Sequence, residues 1–190
     1  MKERLNSTAP DKALDREGEG RALATLIDEL DALCAAPAGE PSGEPLVAAL
    51  ARASRQPSLL SGTQCRGRPE SYVRHLLHAD PAGRYTLVAI VWEPGQFSPV
   101  HGHHTWCGYG VVAGDLVETS YDEPDDRGAV RQDGSVPRAR GSAFFARAGL
   151  ADIHRLGNAS SRSAVSIHAY GVDGARVGSH VNLLVPVAAD

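Results

Sequence analysis

The sequence predicts a mainly β protein, a small antiparallel barrel or sandwich with two or three N-terminal α-helices packed on its outside. Three observations predict it. Apolar residues recur at helical spacing only in the first third of the chain, and from residue 63 onward short β-favouring runs alternate with Gly, Pro and Asp. In addition, a glycine-flanked His-x-His pair, His101 and His103, falls between two of those runs. The expected organisation is one domain of three parts: a polar, poorly ordered start over residues 1–18, a helical extension over 19–62, and the β unit over 63–190.

Within residues 21–36, Leu23, Leu26, Ile27, Leu30 and Leu33 recur at three- and four-residue intervals with Asp28, Glu29 and Asp31 between them, which predicts an amphipathic helix. Cys34 on it reads as a small core side chain. A Pro- and Gly-rich segment over residues 37–45 ends this helix, and Pro45 suits the first turn of a second one carrying Leu46, Leu50 and Ala53. Strands are expected over residues 71–79, 85–92, 106–112, 115–121, 142–145, 153–156, 164–170 and 180–187. The run over 85–92 is the strongest, and Ala113 and Gly114 mark a tight turn. Residues 122–140 have little core potential beyond Val130 and Val136 and read as a weak hairpin and loop.

The net charge of -4 provides no large basic field, which argues against nucleic acid or an anionic membrane as partner and for a small molecule. The N-terminus lacks the basic-then-apolar order of a secretory signal, and three cysteines without framework spacing fit reduced thiols, so a cytoplasmic protein is expected, a monomer or at most a weak homo-oligomer.

Residues 95–114 carry the chemistry. His101, His103, His104 and Cys107 fall within seven positions, and on an extended strand His101 and His103 point to the same side, so both imidazoles can reach one metal ion. Imidazole suits Fe, Zn, Cu and Ni alike, so the spacing does not name the metal. By spacing alone the third ligand could be His75, His104, His154 or His168. Ser166, His168 and Tyr170 alternate with Val165 and Ile167 and so share one strand face, which is either a hydrogen-bonded row or an ordinary solvent-facing edge. Tyr72 and Arg74 likewise share a face.

Gly95, His101, His103, position 107 and Gly114 match the spacing of the first cupin motif, and His154 with Asn158 matches the end of the second, although the Pro-x-Gly that normally precedes that histidine is missing. With Cys107 where a typical cupin has a glutamate ligand, with Gly114 to Thr119 after it, and with Tyr72, Arg74, Ser166, His168 and Tyr170, residues 70–185 resemble the cysteine dioxygenases, in their bacterial form. The resemblance implies a jelly-roll cupin barrel, a metal site of His101, His103 and His154, and Fe(II) as cofactor. It implies that Arg74, beside Tyr72, holds a substrate carboxylate, and that Tyr170, oriented by His168 and Ser166, acts on the reacting groups. Cys107 is then an unliganded neighbour of Tyr170, and some relatives join these two side chains in a thioether. The implied reaction adds both atoms of O2 to the sulfur of L-cysteine, giving cysteine sulfinic acid. The nearest alternative substrate is 3-mercaptopropionate, whose bacterial dioxygenases usually carry glutamine and glycine where this chain has Arg74 and Cys107. A non-catalytic cupin that binds a metal or small ligand, and a Zn, Mn or Ni cupin isomerase or hydrolase, are alternatives of other classes.

Overall fold

The computed structural model describes residues 11–35, 41 and 43–188, with side chains from Gly20 onward. Two helices, α1 (Asp11–Cys34) and α2 (Gly43–Ser54), precede ten strands. The strands are β1 (Val73–Ala79), β2 (Thr86–Trp92), β3 (His101–His103), β4 (Cys107–Ala113), β5 (Leu116–Tyr121), β6 (Gln132–Arg138), β7 (Ala143–Ala146), β8 (Gly149–Gly157), β9 (Ala164–Tyr170) and β10 (Asn182–Leu184). They form two five-stranded antiparallel sheets, ordered β1-β2-β9-β4-β7 and β10-β3-β8-β5-β6. The chain is mainly β with the helices outside, as expected.

The first sheet is covered on both faces, and along β2 the alternation of side chains shows how. Along β2, Leu87, Ala89 and Val91 pack with Leu26, Leu30, Leu46 and Leu50 of the helices, whereas Val88, Ile90 and Trp92 pack inward with Leu116 and Leu156. Period-two patterning is lost when both faces are covered, so this strand reads as an unbroken apolar run. β9 divides in the same way. Val165, Ile167 and Ala169 meet the helical layer, while Tyr170 faces the barrel interior and Ser166 and His168 are buried beside it.

Helix α2 lies close on β4 because Gly108 and Gly110 of that strand leave no side chains beneath it. A Cβ on Gly108 would stand 2.8 Å from Leu50 Cδ1, and one on Gly110 would stand 3.1 Å from the Leu50 carbonyl oxygen. Helix α1 is tied to the β1–β2 turn through Arg84, whose Nε donates to Asp80 Oδ2 at 2.6 Å and whose Nη2 donates to Asp31 Oδ1 at 2.8 Å. The buried Tyr85 hydroxyl donates to the same Asp31 oxygen at 3.2 Å. Between β4 and β5, Gly114 has a φ of 66°, where a side chain would be strained, and the turn brings the chain against Ser163 and Ala164.

Three elements differ from expectation, and one is the short strand β3, formed by residues 101–103 that fall between the expected strands. Helix α1 begins at Asp11, before the apolar spacing marks it, because Ala, Leu, Glu and Arg favour propagation of a helix already nucleated further along. Residues 1–10 and most of the 37–45 segment lie outside the described residues. Within the stretch expected to be a weak hairpin and loop, residues 132–138 form a full strand, β6, that pairs with β5. It is a sheet edge, largely exposed and carrying Pro137, so its sequence lacks an apolar stripe.

Candidate metal centre

His101 and His103 occupy the ends of the three-residue strand β3, and β8 brings His154 directly opposite His101. The three imidazoles are buried, and one ligand atom from each lies within 4.8 Å of the others. Among the described residues this is the group of side chains able to hold a metal. The residue between the two β3 ligands has to be glycine, since a Cβ on Gly102 would stand 2.5 Å from the Gly149 carbonyl oxygen.

Each outer contact turns a ring nitrogen toward the centre. His101 Nδ1 lies 2.9 Å from the Pro99 carbonyl oxygen, so it carries the proton and leaves Nε2 free. His154 Nδ1 lies 2.6 Å from Glu118 Oε1, and the other oxygen of that carboxylate accepts from Arg138 Nε at 2.7 Å. Burial opposes charge on Glu118, yet His154 and Arg138 hold its carboxyl below the ordinary range. His103 has both ring nitrogens buried without a partner. Orphaned buried nitrogen costs roughly 1–3 kcal/mol, and a bound ion removes that cost. Burial, followed by the neighbouring His154, pushes His101 down to about 4 and His103 down to about 3, so both are neutral near pH 7, the form that binds metal. The donor set therefore fits a transition-metal ion.

A second set of groups faces the three histidines from the other sheet. Trp92 Nε1 donates to Ser166 Oγ at 2.9 Å, Ser166 Oγ lies 2.8 Å from His168 Nε2, and His168 Nδ1 lies 3.3 Å from the Tyr170 hydroxyl. An indole nitrogen only donates, and His168 Nε2 is the one acceptor among the Ser166 hydroxyl's partners, so the arrangement that satisfies every donor has Ser166 donating to His168 Nε2 and His168 Nδ1 donating to the Tyr170 oxygen. Burial keeps His168 neutral, far below its ordinary pKa, and holds the Tyr170 phenol far above its own. The Tyr170 proton is thereby left available to the cavity. Tyr109 stacks on His168 with centroids 5.4 Å apart and fixes the ring.

The β4–β9 register sets Cys107 opposite Tyr170. Burial raises the Cys107 thiol, followed by the charge of Glu118, so it stays protonated, and it stands outside the metal-capable group. Arg74 and Tyr72 line the same cavity as His101, His154, Cys107 and Tyr170. The Arg74 guanidinium lies 5.4 Å from the Tyr72 ring centroid, Tyr72 packs on Trp92 at 4.7 Å, and Arg74 Nε is buried without a partner.

Of the residues singled out from the sequence, Tyr72, Arg74, His101, Cys107, His154, His168 and Tyr170 thus line one cavity, and Ser166 and His103 are buried against residues that line it. The other histidines do not. His104 is exposed, with its ring 6.3 Å from that of His180, and His75 contacts the Arg66 carbonyl oxygen. Sequence reasoning missed Glu118, Arg138, Trp92 and Tyr109. Trp92 had a usable signal in its alternation with Val88 and Ile90, which puts an indole N–H on the inner face in need of an acceptor.

Fold and donor set define the class: a cupin-type barrel with three buried histidines inside that could hold a metal. The chain belongs to the cysteine dioxygenase type I family, whose model matches residues 63–173. It is accordingly a thiol dioxygenase of the cupin superfamily, with a small-molecule substrate and O2 as its reactants. Solved structures with a similar outline are a Thermus thermophilus protein (21% identity, 60% of this chain and 96% of that one, TM-score 0.46), a cupin superfamily protein from Desulfitobacterium hafniense (13%, 57% and 84%, 0.44) and a cupin 2 conserved barrel domain protein from Salinispora arenicola (19%, 63% and 89%, 0.43). The family assignment rests on the family match, not on these. Among the described residues no helix is long and apolar enough to cross a membrane.

Proposed function

We propose that the protein is an iron-dependent dioxygenase for L-cysteine, adding both atoms of one O2 to the substrate sulfur and releasing cysteine sulfinic acid. The observation that carries this reading is a donor set of three imidazoles, without a carboxylate, facing Arg74, Cys107 and Tyr170 across one small cavity. Bound by these donors, Fe(II) supplies the redox chemistry that O2 requires, and it favours the thiolate form of a thiol. Three uncharged ligands leave the ion its full charge, which favours an anionic substrate group.

The chain's own residues supply the rest. The Arg74 guanidinium, with its Nε unpaired, offers a carboxylate two parallel donors. Tyr170 directs its hydroxyl proton toward the reacting groups because Trp92, Ser166 and His168 fix the donor order behind it. Cys107, protonated and outside the donor group, leaves the glutamate position of other cupins empty of a protein ligand. Both atoms of O2 end on sulfur and the sulfur supplies the electrons, so no external reductant enters.

The test is metal analysis of the purified protein beside an oxygen electrode trace with L-cysteine. Iron with one O2 consumed per cysteine is expected, and zinc without uptake would overturn the reading. A higher kcat/KM for 3-mercaptopropionate than for cysteine would defeat the choice of substrate.

A further inference from the structure

Arg74 has a companion in β10. Asn182 lies directly opposite His103 in the β10–β3 ladder, and residues directly opposite in an antiparallel pair share a face, so Asn182 projects on the same side as the metal-binding imidazole. Its side chain lines the cavity around His101 and His154 and also the neighbouring pocket that leads outward past Ser179 and Leu184. Tyr72, Arg74 and Asn182 are the residues common to both, so they form the neck between them. Leu184, the next inward-register residue of the strand, is 66% exposed and marks the outer rim. The Asn182 amide is half-buried and makes no hydrogen bond with the described residues, and Arg74 across the neck keeps a buried Nε unpaired. Arg74 Nε and the Asn182 amide, both without a hydrogen-bond partner on residues that line the same neck, are what a polar ligand group would satisfy.

We propose that Asn182 is a specificity-determining residue that receives the substrate carboxylate together with Arg74, its side-chain N–H donating to one carboxylate oxygen while the guanidinium takes the other. The charge decides between the substrate's two polar groups. An ammonium held by Asn182 would face the fixed cation of Arg74, whereas a carboxylate there is attracted by it. The neutral amide adds a donor without a second charge, so the neck accepts one anionic group. This inference rests on the thiol dioxygenase reading, and it names the substrate class as thiols with a carboxylate close to the sulfur.

The experiment is calorimetric titration of the full chain, loaded with Fe(II) and kept free of oxygen, with L-cysteine, 3-mercaptopropionate and cysteamine, the last having no carboxylate. Asn182→Ala is expected to weaken the two carboxylate thiols about tenfold, the loss of one hydrogen bond to a charged group, and to leave cysteamine within about twofold. Asn182→Asp is expected to weaken them further, about a hundredfold, because it sets a like charge against the carboxylate, and Asn182→Ser, which keeps a donor, falls between wild type and Ala. Equal losses for all three thiols, unchanged affinities, or a wild type that binds no carboxylate thiol would each overturn the proposal. Oxygen uptake by the wild type with L-cysteine is read separately. Uptake with unchanged variant affinities would defeat this inference alone, and the expected affinity pattern without uptake would defeat the dioxygenase reading alone.

Discussion

His154 takes its orientation from a carboxylate that is itself oriented, since Glu118 accepts from both the imidazole and Arg138. Such outer contacts commonly hold 10- to 100-fold of metal affinity. Glu118→Gln is therefore expected to weaken iron binding by about tenfold or more with the fold intact, measured by competition with a chelator. Tyr170→Phe keeps the ring packing and removes the proton that the row behind it directs. It is expected to lower kcat/KM by about ten- to a hundredfold while iron content stays at the wild-type level, measured by oxygen uptake and metal analysis. The His101 and His103 pair was legible because both lie on one short strand, where period two alone aligns them. The pairings of Glu118 and Trp92 were not, because their partners His154 and Ser166 stand 36 and 74 positions away, and only strand register brings them together. The third ligand was reached through the family resemblance, since spacing by itself left four histidines open.

Strands β2 and β9 each serve two layers, and that double service shaped what their sequences revealed. The alternation along β9 separated Ser166, His168 and Tyr170 from the apolar residues correctly, but it could not distinguish a solvent-facing edge from an interior row. The helices covering the opposite face and the second sheet facing the row supply that answer. The strand β6 was hidden for the converse reason, having a polar sequence at an exposed edge while still delivering Arg138 to Glu118. Under α2, the absence of side chains at Gly108 and Gly110 of β4 is a packing requirement. Gly110→Val is expected to cost about 1–3 kcal/mol and to loosen α2, read as a lower urea midpoint and earlier proteolysis of the helical segment. The brace at the β1–β2 turn predicts a pH effect of definite sign. Hydrogen bonds from Arg84 hold the Asp80 carboxyl well below its ordinary value of 3.8, so its contribution is present above about pH 4 and is lost as pH falls through the folded value. Asp80→Asn should be less stable than wild type at pH 7 by about 1.5–3 kcal/mol, with the gap narrowing below about pH 4, measured by urea unfolding across pH.

At the scale of the whole molecule, a metal that binds only the folded chain stabilises it by mass action. At about a hundredfold excess of iron over its dissociation constant the gain is about 2.7 kcal/mol, so stripping the metal is expected to lower Tm by roughly 5–10 °C, read by calorimetry without oxygen. The three metal-capable histidines, with Glu118 and Arg138, all belong to one sheet. Arg74, Trp92, Cys107, Ser166, His168 and Tyr170 all belong to the other. Substitutions along one wall can therefore change the cavity's lining while the opposite wall keeps its three imidazoles, and Asn182 on β10 belongs to the histidine wall. Paired substitutions drawn from the two walls, such as Glu118→Gln with Tyr170→Phe, should combine as nearly independent factors at saturating iron. Pairs drawn from within the Trp92 to Tyr170 row should not, because breaking one link already uncouples the next.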